Sequence, residues 1–200
     1  MSELRQELWL IRHGETEWSA AKRHTGRTDI PLTPTGERQA AALGRSLAGR
    51  RFASVLCSPL RRARQTCELA GYGEVATMID DLLEWDYGVY EGKTTKEIRL
   101  EQPGWLIWTA SVAKGESIEQ VGCRARRVIQ LALASGGDVA MFAHAHILRV
   151  LTARWIGLPP DAGRLFVLGT ASVSVLGYER ESRVIALWNQ DCHLVPQKNA

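Results

Sequence analysis

The stretch Leu8-Trp-Leu-Ile-Arg-His-Gly14 decides how this chain reads. Leu8 to Ile11 is a short, unbroken apolar run, the pattern of a buried strand. It stops abruptly at Arg12, His13 and Gly14. Such a strand carries a cation, an imidazole and a flexible turn to one edge of a sheet, where open α/β folds bind their ligands. Two later stretches do the same. Ser54 to Cys57 leads into Ser58-Pro-Leu-Arg-Arg62, and Asp138 to Ala143 leads into His144-Ala-His146. A weaker strand, Val75 to Ile79, is followed within a few residues by Glu84.

Helical patterns lie between these strands. Thr33-Pro34 opens a helix to about Leu47, with Pro at its first position. Leu60, Ala63, Cys67 and Ala70 recur at helical spacing. Ser117-Ile-Glu-Gln120 reads as a capping box for a helix to about Ala134. Ile147 to Ile156 forms a helix stopped by Gly157 and Pro159-Pro160, and two strands follow, 172–178 and 184–188. Residues 81–116 read as an excursion over the surface with short helices. The alternation predicts a single α/β domain, with helices covering both faces of a largely parallel sheet.

Composition narrows the classes. At 200 residues the chain buries a core without disulfide staples. No window reaches the roughly 18 apolar residues of a membrane helix, since glycines and serines interrupt even the uncharged stretch Leu165 to Tyr178. The start of the chain, with Glu3 and Glu7, does not read as a signal peptide. A net charge of +3 is too weak to imply nucleic acid or a membrane surface. Cys57, Cys67, Cys123 and Cys192 show no C-x-x-C spacing, so a reducing, cytoplasmic compartment is expected. Oligomeric state leaves no mark in the pattern.

Three strand ends and one loop thus bring Arg12, His13, Arg62, Glu84 and His144 towards one rim. That set suits phosphoryl transfer. A neutral imidazole is nucleophilic near pH 7, and arginines clamp phosphoryl oxygens. A carboxyl group can protonate the leaving oxygen and then take a proton from water. Each residue alone has a plainer explanation: Arg62 as a surface arginine, Glu84 as a cap. His13, His144 and His146 could instead hold a metal, though no acidic or cysteine partner stands nearby in sequence.

Leu10-Ile-Arg-His-Gly-Glu-Thr16, Ser58-Pro-Leu-Arg-Arg-Ala63, Glu84 with Gly88, Gly115-Glu-Ser117 and Ala143-His144 with Arg149 carry a further reading. In this order they resemble the motifs of the histidine phosphatase superfamily, the phosphoglycerate mutase-like family, over nearly the whole chain. The resemblance implies a three-layer fold with a mixed, mainly parallel sheet between helices, as one domain over residues 1–200. It implies His13 as a nucleophile forming a phosphohistidine, with Arg12, Arg62 and His144 holding the phosphoryl group. Glu84 becomes proton donor and then general base. No metal or organic cofactor is implied. The segment Glu84-Trp-Asp-Tyr-Gly88, with Glu17-Trp-Ser19 and Thr25-Gly26, is more similar to the phosphatase branch, of sedoheptulose-bisphosphatase or broad-specificity acid phosphatase type. A small phosphorylated metabolite is then the expected partner, with a mutase or a non-catalytic phospho-binding module as alternatives. Gly14, Ser19, Arg23, Thr25, Gly26 and Ala145 are the expected substrate-binding positions. Lys22, His24 and Arg27 are expected to join them in selecting the substrate, with Tyr90, Trp105 and Trp108 opposite or packed in the core. Ala145 stands where the family usually has glycine, and His146 belongs either to the pocket rim or to the helix start.

Overall fold

The computed structural model describes residues 6–194. Six strands form one sheet in the order β3-β2-β4-β1-β5-β6. The strands are β1 (Leu8–Arg12), β2 (Ser54–Cys57), β3 (Ala76–Met78), β4 (Val139–Ala143), β5 (Val173–Glu179) and β6 (Ser182–Gln190). β1 to β4 pair in parallel, and β5 runs antiparallel to both β1 and β6. Glu179 pairs with Ser182 across a two-residue hairpin, with Arg180 in the left-handed region that such turns require.

The apolar runs are buried on both sides, as their continuity predicts. Leu8, Leu10 and Met141 face one core with α5 (Ile118–Leu133) and α6 (Ala145–Trp155). Ile11, Ala140 and Phe142 face the other, with α2 (Pro34–Ser46) and α3 (Arg61–Leu69). Helices therefore flank the sheet, giving the three layers expected. The helix starts follow their caps. The Thr33 hydroxyl accepts from the Gly36 N–H, and Ser117 and Gln120 form a reciprocal capping box.

Residues 81–116 depart from expectation. They hold two single turns and α4 (Thr95–Glu101). Trp85, Tyr87, Tyr90, Ile98, Trp105 and Trp108 are all buried in the larger core. The segment is a lid of core rather than a surface excursion. Irregular backbone hid this from a reading based on periodicity.

Candidate active site

β1 and β4 lie side by side, and this fixes the floor of the site. Arg12 pairs with Ala143, and the His13 N–H donates to the Ala143 carbonyl at 3.0 Å. The rings of His13 and His144 therefore stand 5.2 Å apart. His13 is 4% exposed. Its Nδ1–H donates to the Gly14 carbonyl at 2.7 Å, which puts the lone pair on Nε2. Among the described residues Nε2 has no partner. Burial, reinforced by Arg62 and Arg12, holds the pKa of His13 well below the usual histidine value. The ring is neutral at pH 7. Arg12 is anchored by a bond to the Leu168 carbonyl at 2.5 Å, while its buried Nε–H has no partner. Burial pulls its pKa down to about 10, partly offset by Glu84, so it stays cationic.

Arg62 is fully buried at the start of α3. Its Nε–H donates to His144 Nδ1 at 3.1 Å. Nη1 reaches the Thr28 carbonyl, and Nη2 those of Thr25 and Gly26. One Nη1 hydrogen is left over from its five. Because Nδ1 of His144 accepts, its Nε2–H donates, to Ser58 Oγ at 2.7 Å. Burial, with Arg62 next, holds His144 neutral. Arg62 thus ties the loop 25–28 to the strand ends. Removing its side chain strands these acceptors, at about 1–3 kcal/mol for each one left buried without a donor.

Glu84, 4% exposed, meets the N-terminus of α6. Its Oε2 accepts from the His146 N–H, and its Oε1 from those of Ile147 and Trp85, all at 2.9–3.0 Å. The N-cap of this helix, His144, offers no side-chain bond, so a distant carboxylate satisfies the orphan donors. Glu84 is both a cap and a wall of the cavity. Its loop is braced by Arg124 of α5, which donates to the carbonyls of Asp81, Leu83 and Glu84 and pairs with Glu116 at 2.7 Å. The Tyr87 hydroxyl meets His146 Nδ1 at 2.6 Å. Burial lowers the pKa of His146 and raises that of Tyr87.

These groups border a cavity of about 320 Å³, large enough for a small metabolite. Arg12, His13, Ser19, Arg23, Thr25, Glu84 and Ala145, all named from the sequence, line it. Lys22 and His24 line it too, and burial lowers His24 to about 4. Arg62 and His144 stand behind the wall. The expected role of His144 as a second phosphoryl donor meets a ring with both nitrogens engaged. Ser19 is likewise occupied: its Oγ accepts from the Thr16 N–H and donates to the Thr16 carbonyl, closing the capping box of α1 (Glu17–Ala20). Ala145 opens α6 with ordinary backbone, so the family's glycine is not needed there.

Other expected positions lie outside the cavity lining. Gly14 makes room for protein, since a Cβ there would sit 2.5 Å from the Gly36 carbonyl oxygen, and its N–H donates to Thr66 Oγ1 at 3.0 Å. Gly26 is packed against the Trp85 carbonyl and donates its N–H to Glu91. Arg27 turns away to pair with Glu116 at 3.2 Å. Of the two places expected for Tyr90, Trp105 and Trp108, the structure shows the packed one: all three are core. Among the described residues no three His, Cys, Asp or Glu side chains gather as metal ligands. His146 belongs to both the helix start and the rim.

Tyr87, Arg149 and 166–168 also line the cavity and were not among the expected substrate contacts. Arg149 follows Ala145 by one helical turn, a spacing that could have exposed it. Nothing in the sequence marks 166–168. Rim strain does have a sequence-local cause. α1 ends with Lys22 at φ 56°, where an L-residue costs about 1 kcal/mol that glycine avoids.

A strand-end histidine with a free Nε2, a buried arginine with an unpartnered N–H and a capped glutamate define a phosphoryl-transfer type of site. Comparison with known proteins agrees. A family model described as the histidine phosphatase superfamily, branch 1, matches residues 8–191, and the chain belongs to this superfamily. The chain is 42% identical over 193 residues to an acid phosphatase of Mycobacterium tuberculosis, covering 94% of this chain and 95% of that one. It is 36% identical over 182 residues to sedoheptulose 1,7-bisphosphatase of Saccharomyces cerevisiae, covering 74% and 67%. A solved M. tuberculosis structure superposes with a TM-score of 0.87 at 41% identity, over 93% of this chain and 98% of that chain. A Klebsiella pneumoniae relative, 30% identical over 91% of this chain and 89% of its own length, carries a phosphoglycerate mutase name.

Proposed function

We propose that this chain is a metal-independent phosphomonoesterase that hydrolyses small phosphorylated metabolites through a phosphohistidine on His13. One observation carries the reading. His13 is neutral, with Nδ1 fixed on Gly14 and Nε2 unpartnered at the cavity, beside the unpartnered Nε–H of Arg12.

In the first step Nε2 attacks phosphorus and the bond to the leaving oxygen breaks. Glu84 supplies the proton that the leaving alcohol needs. The Nδ1–H bond to Gly14 stabilises the ring as it gains positive character. Arg12 binds the equatorial oxygens while charge moves across the group, and Arg62, buried behind the wall, adds its positive charge and holds the loop 25–28 in place. In the second step water attacks the phosphohistidine, the P–N bond breaks, and Glu84 takes the water's proton. His144 acts as a positioning residue, orienting Arg62 from behind. Four free cysteines, two of them buried, support a reducing cytoplasmic compartment.

The test is phosphate release from p-nitrophenyl phosphate, sugar mono- and bisphosphates and 3-phosphoglycerate, with chelator present and His13→Ala alongside. Release that survives chelator and vanishes in the variant is expected. Loss on chelation would overturn the metal-free chemistry. Faster interconversion of phosphoglycerates than phosphate release would make the chain a mutase, and no turnover of any compound would make it a binding module.

A further inference from the structure

Lys22 is the rim cation whose charge no neighbouring group holds among the described residues. α1 closes as a Schellman motif: the Arg23 N–H donates to the Trp18 carbonyl at 2.9 Å, and the Lys22 N–H to that of Ser19 at 3.2 Å. Lys22 occupies the left-handed position of that motif, at φ 56°, where glycine fits best. Its side chain nevertheless lines the cavity. The other cations of the wall are held. Arg12 is bonded to the Leu168 carbonyl, Arg149 to that of Gly163, and Arg23 to the Gly92 carbonyl and Glu97. Among the described residues Lys22 has no acidic partner.

Charge points to what it binds. Four cations, Arg12, Lys22, Arg23 and Arg149, face a single carboxylate, Glu84. Arg12 lies beside His13 at the phosphoryl position, Arg23 is paired with Glu97, and Arg149 is bonded to the Gly163 carbonyl and stacked over Trp108, so Lys22 is the cation of this wall with no bonded partner for its charge among the described residues. We infer that Lys22 is a specificity residue that binds a second anionic group, a phosphate or a carboxylate, on the substrate whose ester phosphate lies at His13. A lysine ammonium is a point charge on a flexible stem, suited to an anion whose position varies between substrates. The inference rests on the phosphatase reading and deepens it.

The test compares native enzyme, Lys22→Gly and Lys22→Arg. The substrates are p-nitrophenyl phosphate, which has one anionic group, a sugar bisphosphate, and 3-phosphoglycerate, which pairs phosphate with carboxylate. Lys22→Gly is expected to raise Tm by about 2–4 °C through relief of the strained position. The ratio of kcat/KM for the doubly anionic substrates to that for p-nitrophenyl phosphate is expected to fall about tenfold, mostly through KM, and Lys22→Arg to restore most of it. Which of the two doubly anionic compounds loses more identifies the second group as phosphate or carboxylate. An unchanged ratio overturns the inference, and a lowered Tm with an unchanged ratio makes Lys22 purely structural. A binding arm keeps the two readings apart. In the His13→Ala background ligands stay intact, and a sugar bisphosphate should raise Tm more than the monophosphate does, a difference abolished by Lys22→Gly. Native protein that releases no phosphate would overturn the phosphatase reading, and the second-anion inference would then stand or fall on this binding difference.

Discussion

The floor of the site and its rim are built on opposite principles. On the floor, Arg12, His13, Arg62 and His144 leave parallel strand ends or the helix that follows one, and backbone carbonyls or one another hold them. The rim segment 17–28 starts with a four-residue helix, turns through a left-handed lysine and exposes its cations. Its tie to the floor is Arg62, which reaches three of its carbonyls, and further ties run to the segment 91–94, through His24 with Lys93 and Gly92 and through Glu91 accepting from Gly26 and Thr28. Chemistry that must hold geometry to a fraction of an ångström sits where the sheet fixes it. Selection among substrates sits where the chain can vary.

The comparison breaks most visibly at His13. His13→Ala is expected to cut phosphate release by about 10⁴-fold or more while thermal unfolding stays close to native. A modest loss would show that the floor binds phosphate without attacking it. Glu84→Gln should follow, with kcat down by about 10²–10⁴-fold, because the amide keeps an acceptor for the α6 N–H groups but moves no proton. A further readout is substrates with activated leaving groups, whose first step should suffer least. Arg62→Ala should couple both regions, lowering stability in denaturant unfolding by about 1–3 kcal/mol for each acceptor left buried without a donor, along with most of the activity. An active, stable variant would deny that the rim hangs on the floor. Arg124→Ala should lower kcat roughly tenfold with little change in KM, since it braces Glu84 without touching the cavity.

The smallest effect is a pH dependence. His13, His24, His144 and His146 all have depressed pKa values in the folded chain. Between those values and the ordinary value near 6.5 the unfolded chain binds more protons. Stability from this source is therefore complete above about pH 7 and is lost as pH falls below 6.5, with His24 resisting protonation until about 4. Denaturant midpoints measured from pH 8 to pH 4.5 should fall on the acid side. A flat profile would mean that these rings are not buried as neutral groups.

The sequence was legible where periodicity and chemistry coincide. Leu8 to Ile11 and Asp138 to Ala143 are continuous apolar runs that stop at histidines, so both the strands and the site edge could be read. It was opaque where contacts are non-local and aperiodic. Trp85, Trp105 and Trp108 join the core through irregular backbone. Arg124 braces Glu84 across a separation of 40 residues. Arg27 lies in the substrate loop by sequence, yet Glu116 draws it away. Ser19 reads as a ligand contact, but its hydroxyl is committed to a local cap.

The central claim is that phosphate passes through a covalent bond to His13 Nε2. Rapid mixing with substrate, followed by alkaline quench and peptide mass spectrometry, tests it most directly. The account predicts a single acid-labile, alkali-stable phosphoryl group on the peptide carrying His13, formed at the rate of turnover or faster and absent when His13 is replaced. Phosphate release without such an adduct at any time point, or an adduct on another residue, would contradict it.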